Sequence, residues 1–173
     1  MLTSGTEGIL QKDWEVHVSL HATSASAITT FKGSKTKINA DAIITAMGAS
    51  GNGGELGECR ADSIESALAD GDKVTGNKSG EITLNKAGSF TAELMNMTPA
   101  NIACLEALDG QACDILMKEV DTHGSTMKTI ILIENHVISY AESIKQQATG
   151  TITVARKVAR ASAWRTLSDV SYA

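Results

Sequence analysis

Proline is almost missing: Pro99 is the only one in 173 residues. That excludes a collagen-like chain and a polyproline linker. Aromatic residues are equally sparse, with two Trp, two Tyr and two Phe, so any core must be built from Ile, Leu, Val, Ala and Met. So few rings also argue against a base-stacking platform for single-stranded nucleic acid. Positive charge is in deficit, 15 Lys and Arg against 20 Asp and Glu, and a net charge of −5 disfavours binding to a phosphate backbone. Cysteine is limited to Cys59, Cys104 and Cys113, an odd number with no CxxC, so a zinc clip is not expected and reduced, buried thiols are. No run of about 18 apolar residues occurs, so no membrane span is expected. The opening MLTSGTEGILQKDWE has neither a basic n-region nor an apolar h-region, so no signal peptide is expected.

What remains is a chain of 42% hydrophobic and 20% charged residues, the balance of one folded domain over residues 1–173. Residues 1–12 read as a polar arm. DWEVHVSLHATS then alternates, with Trp14, Val16, Val18 and Leu20 on one face and Glu15, His17, Ser19 and His21 on the other, which predicts a half-buried strand with a polar outer face. Residues 27–33 (AITTFKG) read as a second strand, entered through an Ala/Ser turn at 22–26. Residues 37–48 fit either a strand from Ile38 or a short helix capped by Asn39 or Asp41. The segment GASGNGGELGE (48–58) holds five glycines in eleven residues and predicts a long flexible loop or an extended hairpin tip. ADSIESALADGD (61–72) has capping-box spacing from Asp62 to Glu65 and reads as a short helix ending at Gly71, with continuation of a hairpin loop as the alternative. A turn at Gly76-Asn77 and a strand around Ile82 and Leu84 follow.

The next stretch is the most legible. Phe90, Ala92 and Leu94 alternate with Thr91 and Glu93 as a strand. Thr98 is a good N-cap and Pro99 sits at the first helical position, where its missing N–H costs nothing. Ile102, Leu105 and Leu108 form an apolar stripe that anchors the helix, and Asp109-Gly110 ends it. QACDILMKEV is the next strand. KTIILIENHVISYAES (128–143) reads as one long strand, covered on both faces in its first half and bent or bulged near Glu134-Asn135. TITVARKVARAS (151–162) is the last clear strand. Six to nine strands with one firm helix, at about 99–109, predict a mostly β, α+β fold: an antiparallel sandwich or barrel with a flanking short helix.

Chemistry is harder to find. The glycine-rich segment lacks the GK[ST] ending of a phosphate loop. His17 and His21 would stand about 13 Å apart on a strand, too far to share an ion. No GxSxG elbow occurs, and Glu55/Glu58 and Asp70/Asp72 lack EF-hand spacing and read as solvated loops. No cofactor, metal or catalytic residue is therefore expected. The one directional charge feature is Arg156, Lys157, Arg160 and Arg165. It reads either as a solvated strand edge or as a surface complementary to an acidic face of a neighbouring copy.

The stretch SFTAELMNMTPANIACLEALDGQACDILMKEVD, followed by KTIILIENHVISY and TITVARKVARAS, resembles phage tail tube proteins and the inner tubes of contractile injection systems. The shared pattern is strand, TPxNIxxLxxLxG, strand, and the resemblance covers the chain from about residue 80 onward. It implies a structural subunit that assembles with itself into stacked hexameric rings, neighbouring strands joining edge to edge around a lumen that passes DNA or an effector. A sheath or baseplate protein would be a further partner, and the location would be a virion tail assembled in host cytoplasm, without a membrane. Gly48, Gly51, Asn52, Gly53, Gly54 and Glu55 are then expected at the contact between rings. Another ring component (baseplate, neck or tail terminator) is the near alternative. A β-sandwich binding module for carbohydrate or protein is a more distant one, and an enzyme the least favoured.

Overall fold

The computed structural model describes residues 13–49, 51, 53–60, 62–68, 72–76, 80–84, 88–95, 97–144, 148–158 and 164–173, with the backbone alone at 68, 72–76, 80–84, 156, 157 and 164. The expected arm at 1–12 lies outside the described residues. In chain order the elements are β1 (Trp14–Leu20), α1 (His21–Gly33), α2 (Lys37–Gly48), β2 (Gly53–Glu55), β3 (Glu65–Leu68), β4 (Asp72–Gly76), β5 (Gly80–Leu84), β6 (Gly88–Leu94), α3 (Pro99–Leu108), β7 (Ala112–Glu119), β8 (Met127–Ser143), β9 (Thr149–Lys157) and β10 (Trp164–Ser171). Eight strands form one antiparallel sheet in the order β2-β1-β7-β8-β9-β6-β3, with β10 also paired to β8. The path is open, so the fold is α+β and mostly β without being a closed barrel. No helix among the described residues is long and apolar enough to cross a membrane.

The long strand β8 decides the shape. Its first half pairs with β10 and its second half with β9, both along the same edge, so the two partners lie end to end. Between the halves Asn135 takes a positive φ of 55°, and pairing shifts register between Cys113 and Ile115 on one side and between Val137 and Ile138 on the other. This is the expected bend, built as a bulge. Beyond it the sheet folds over, and Phe90, Ala92 and Leu94 of β6 and Ile152 of β9 pack on Val16 and Val18 of β1, Ile115 and Met117 of β7, and Ile131 and Ile133 of β8. Leu105 and Leu108 of α3 join the same core. The opposite face of β7 and β8 carries Leu116, Ile130 and Leu132, covered by Ile28, Phe31, Ala40, Ile43 and Met47 of α1 and α2. With cover on both sides, Cys113–Met117 and Ile130–Ile133 are buried at every position, and apart from Asp114 all of these residues are apolar.

Several expectations are corrected. Residues 27–33 are the second half of α1, not a strand, and the 22–26 turn is its first half. Ile28, Thr29, Thr30 and Phe31 favour a strand by propensity, but the buried positions Ser24, Ile28 and Phe31 recur at helical spacing. Thr29 and Thr30 return their hydroxyl protons to the carbonyls of Ala25 (2.9 Å) and Ser26 (3.2 Å), a local bond that accommodates them in a helix. Residues 37–48 resolve to a helix capped by Thr36, whose Oγ1 accepts from the Asn39 N–H at 3.4 Å. Residues 65–68 are strand β3, not helix. Asp62 sits at φ 62°, outside the extended backbone a cap requires, and Ser63 Oγ accepts from the Glu93 N–H at 3.1 Å, drawing the segment alongside β6. The polar face of β1 is not solvated either: His17 and Ser19 are buried beneath the helices.

Asp114 holds the bend. It is 0% exposed. Its Oδ1 accepts from the Asn135 N–H at 2.7 Å and from His21 Nδ1 at 2.9 Å, while Oδ2 accepts from Ser24 Oγ, which in turn accepts from Ser19 Oγ at 3.0 Å. Asp114→Ala would leave the bulge amide and two side-chain donors without their acceptor. We expect a loss of about 2–4 kcal/mol in urea unfolding. Asp109→Ala, which removes an exposed acceptor for the Tyr140 N–H, should cost about 1 kcal/mol or less.

Candidate assembly interface

The helix unit is built as its sequence predicts at both ends. Thr98 Oγ1 accepts from the Asn101 N–H at 3.3 Å, Pro99 is the first helical residue, and Gly110 takes φ 71° to leave the helix. The Gly110 N–H then donates to Ile138 O at 3.0 Å, fastening the exit to the second half of β8. Of the three expected anchors, Leu105 and Leu108 are buried in the core, whereas Ile102 is half-exposed. Cys104 takes up the remaining contact.

The glycine-rich segment is more ordered than a loop. Gly48 ends α2, Gly51 takes φ 70°, and Gly53, Gly54 and Glu55 form β2 against His17, Val18 and Ser19. Gly53 is required there, since a Cβ would stand 2.6 Å from Met47 O and 2.7 Å from Val18 O. Asn52 lies outside the described residues. β2 and β3 end the main path of the sheet, and β10, beside β8, is a further outer strand. Glu55, Glu58, Asp62 and Glu65 are exposed along this stretch of chain, which runs beside β6 through bonds from the Met95 N–H to Glu58 O (3.0 Å) and from the Arg60 N–H to Glu93 O (2.8 Å).

Of the basic cluster, Arg165 alone is described with its side chain. Arg156 and Lys157 belong to β9, opposite Val137 and His136, with only their backbone described, and Arg160 lies outside the described residues. Arg165 lies on β10, half-buried, its stem packed over Gly88 and its Nε donating to Ser66 Oγ at 3.1 Å. Burial pushes its guanidinium below the usual arginine value. Arg165 therefore ties β10 to β3 within the protomer.

One element escaped the sequence reading in its most informative respect. β4 and β5 pair with each other from Asp72↔Leu84 to Gly76↔Gly80, and among the described residues they pair with no other strand. The turn and the second strand were visible in the residues. This pairing pattern is a tertiary fact with no local signal.

The cluster around Asp114 is not arranged as a nucleophile, base and orienting acid in series. Ser24 and His21 both bond to Asp114, so the imidazole does not stand between hydroxyl and carboxylate as acyl-transfer chemistry requires. Among the described residues no group of three or more His, Cys, Asp or Glu could hold a metal ion. A cleft of about 90 Å³ between β2 and α3 is lined chiefly by Val18, Leu56, Leu94, Cys104 and Leu105. Burial pushes the Cys59 and Cys104 thiols up, and Cys113, buried beside the negative charge of Asp114, is pushed up to about 12. A disulfide reagent should label Cys59 and Cys104 slowly and Cys113 only in denaturant, as read by peptide mass mapping.

Comparison with known proteins returned no matching family model and no matching curated sequence.

Proposed function

We propose that the chain is the structural subunit of a viral or virus-derived tail tube, which associates with its own copies into stacked hexameric rings around a lumen for DNA or an effector. The observation that carries this reading is the β4–β5 hairpin. Among the described residues it pairs with no other strand, a two-stranded hairpin alone is at best marginally stable in water, and in this reading a neighbouring copy supplies the surface it packs on. The open sheet supports the same reading. Among the described residues the eight-residue β10 pairs with β8 alone, and an unpaired strand edge is a hazard in a monomer but a means of joining copies in a closed ring. In this assembly the Gly48–Glu55 turn and the hairpin face the adjacent ring. Arg156, Lys157 and Arg160 face the adjacent protomer, and a sheath or baseplate protein lies outside.

Negative-stain imaging and light scattering of the purified protein test the proposal. Long uniform tubes are expected. Single rings that do not stack would point instead to a neck, baseplate or terminator component, and a monomer at every concentration would overturn self-assembly altogether. Replacing residues 72–84 by a short Gly-Ser linker should preserve the circular dichroism and melting of the protomer while abolishing stacking; tubes of normal length from this variant would remove the hairpin from the contact.

A further inference from the structure

The turn between α1 and α2 carries a second basic surface that sequence reading passed over. Residues 33–38 are all exposed, Lys35 and Lys37 among them, and Ile38 stands 79% exposed at the start of α2. Tyr172 draws Lys128 of β8 into the same place: the Lys37 and Lys128 ammonium groups lie 5.5 and 5.4 Å from its ring centre. The ring itself is fixed, since its hydroxyl donates to Asp41 Oδ1 at 3.2 Å and its backbone N–H to Thr126 O at 2.8 Å. Asp41, the carboxylate on the same turn of α2, is thereby engaged by the tyrosine. A single exposed isoleucine means nothing by itself. Ile38 directly follows Lys37, so an exposed apolar residue and a cation held over Tyr172 share the first turn of α2.

The matching surface is on the same molecule. Glu58, Asp62 and Glu65 are exposed on the stretch beside β6, Glu55 is exposed on β2 just before it in the chain, and Arg60 there pairs with Glu93 at 3.2 Å. Met95, 37% exposed, is joined to Glu58 by a backbone bond and offers an apolar side chain within the acidic edge. The two surfaces do not neutralise each other. The basic one surrounds the first turn of α2, whereas Glu55 follows its last turn, and twelve residues of helix separate those ends by about 18 Å. Two different surfaces that fit each other on one molecule give a head-to-tail contact, which either closes a ring or extends a stack.

We infer that the Lys35–Lys37–Ile38–Lys128 corner of one copy docks on the Glu55–Glu58–Asp62–Glu65 edge of the next, with Ile38 against Met95. This rests on the self-assembly reading and names the faces that meet. Charge pairing at the rim sets register and makes the contact salt-sensitive, and the Ile38–Met95 contact supplies burial that salt does not weaken.

The test is a charge exchange. Lys35→Glu/Lys37→Glu and Glu55→Lys/Glu58→Lys are made separately and their association measured by sedimentation at low salt and at about 0.5 M salt. Each should associate roughly tenfold more weakly than the parent or worse. Their equimolar mixture should regain association, because the new acidic corner meets the new basic edge while the two unaltered faces still pair. A second variant, Lys35→Glu/Ile38→Asp, leaves the Tyr172 contacts intact and should behave like the first corner variant with unchanged melting. Variants that assemble like the parent, or a mixture that fails to recover, would overturn the docking while leaving self-assembly standing. A parent protein that is monomeric throughout would overturn both.

Discussion

A buried carboxylate at the point where the longest strand bends is the constraint from which the rest of the molecule follows. β8 turns at Asn135, and a bulge of this kind releases a backbone N–H from its ladder. Left unpaired inside a protein, that amide would cost about 1–3 kcal/mol. Asp114 accepts it at 2.7 Å. An anion without exposed surface in turn needs more than one donor, and α1 provides them through His21 and Ser24. The folding over of the sheet, which makes the first core, and the docking of the helices, which makes the second, are thus joined through one side chain.

This coupling explains the unusual distribution of polar groups. The surface of β1, β7 and β8 beneath the helices is apolar where Phe31, Ile43 and Met47 rest, and polar around Asp114 and the start of α1. Paired charges complete that polar part: Lys118 meets Glu15 at 3.1 Å, and Lys32 of α1 meets Glu134 of β8. Neither lysine is fully buried, so their stems cover apolar surface while the ammonium groups keep some contact with water. His17 stays within this framework, bonded to Glu15 at 2.5 Å. A purely apolar seam would let α1 slide along the sheet; fixed donors and acceptors give it one register.

The sequence revealed those elements whose local pattern and tertiary role agree. β1, β6, β7, the bent β8, β9 and the Thr98-to-Gly110 helix all alternate or cap in ways that survive burial. α1 and β3 were misread for opposite reasons. Ile28, Thr29 and Thr30 carry strand propensity, yet a covered sheet face needed a helix there; Asp62 to Glu65 carry a capping signal, yet the edge of β6 needed a strand. The polar face of β1 looked solvated because nothing in residues 14–20 announces that two helices cover it. For the glycine-rich segment, the residues pointed to a flexible loop or hairpin tip, whereas Gly53–Glu55 form β2, where the confinement of Gly53 depends on Met47 and Val18, contacts invisible to local reading. The Lys35–Ile38 corner lay hidden because residues 37–48 fitted strand and helix equally.

α2 joins the internal constraint to the outward surfaces. Its buried positions Ala40, Ile43 and Met47 place it in the second core, and its last turn leads into β2 at one edge of the sheet. Its first turn, held by Thr36 and beside Tyr172, presents the lysines. Because a packed helix does not stretch, the basic corner and the acidic edge keep a constant separation and orientation in every copy. Constant, unlike ends are what a head-to-tail assembly requires, since any play between them would accumulate from subunit to subunit. In the assembly we propose, the internal fastening around Asp114 would hold those two ends firmly relative to each other.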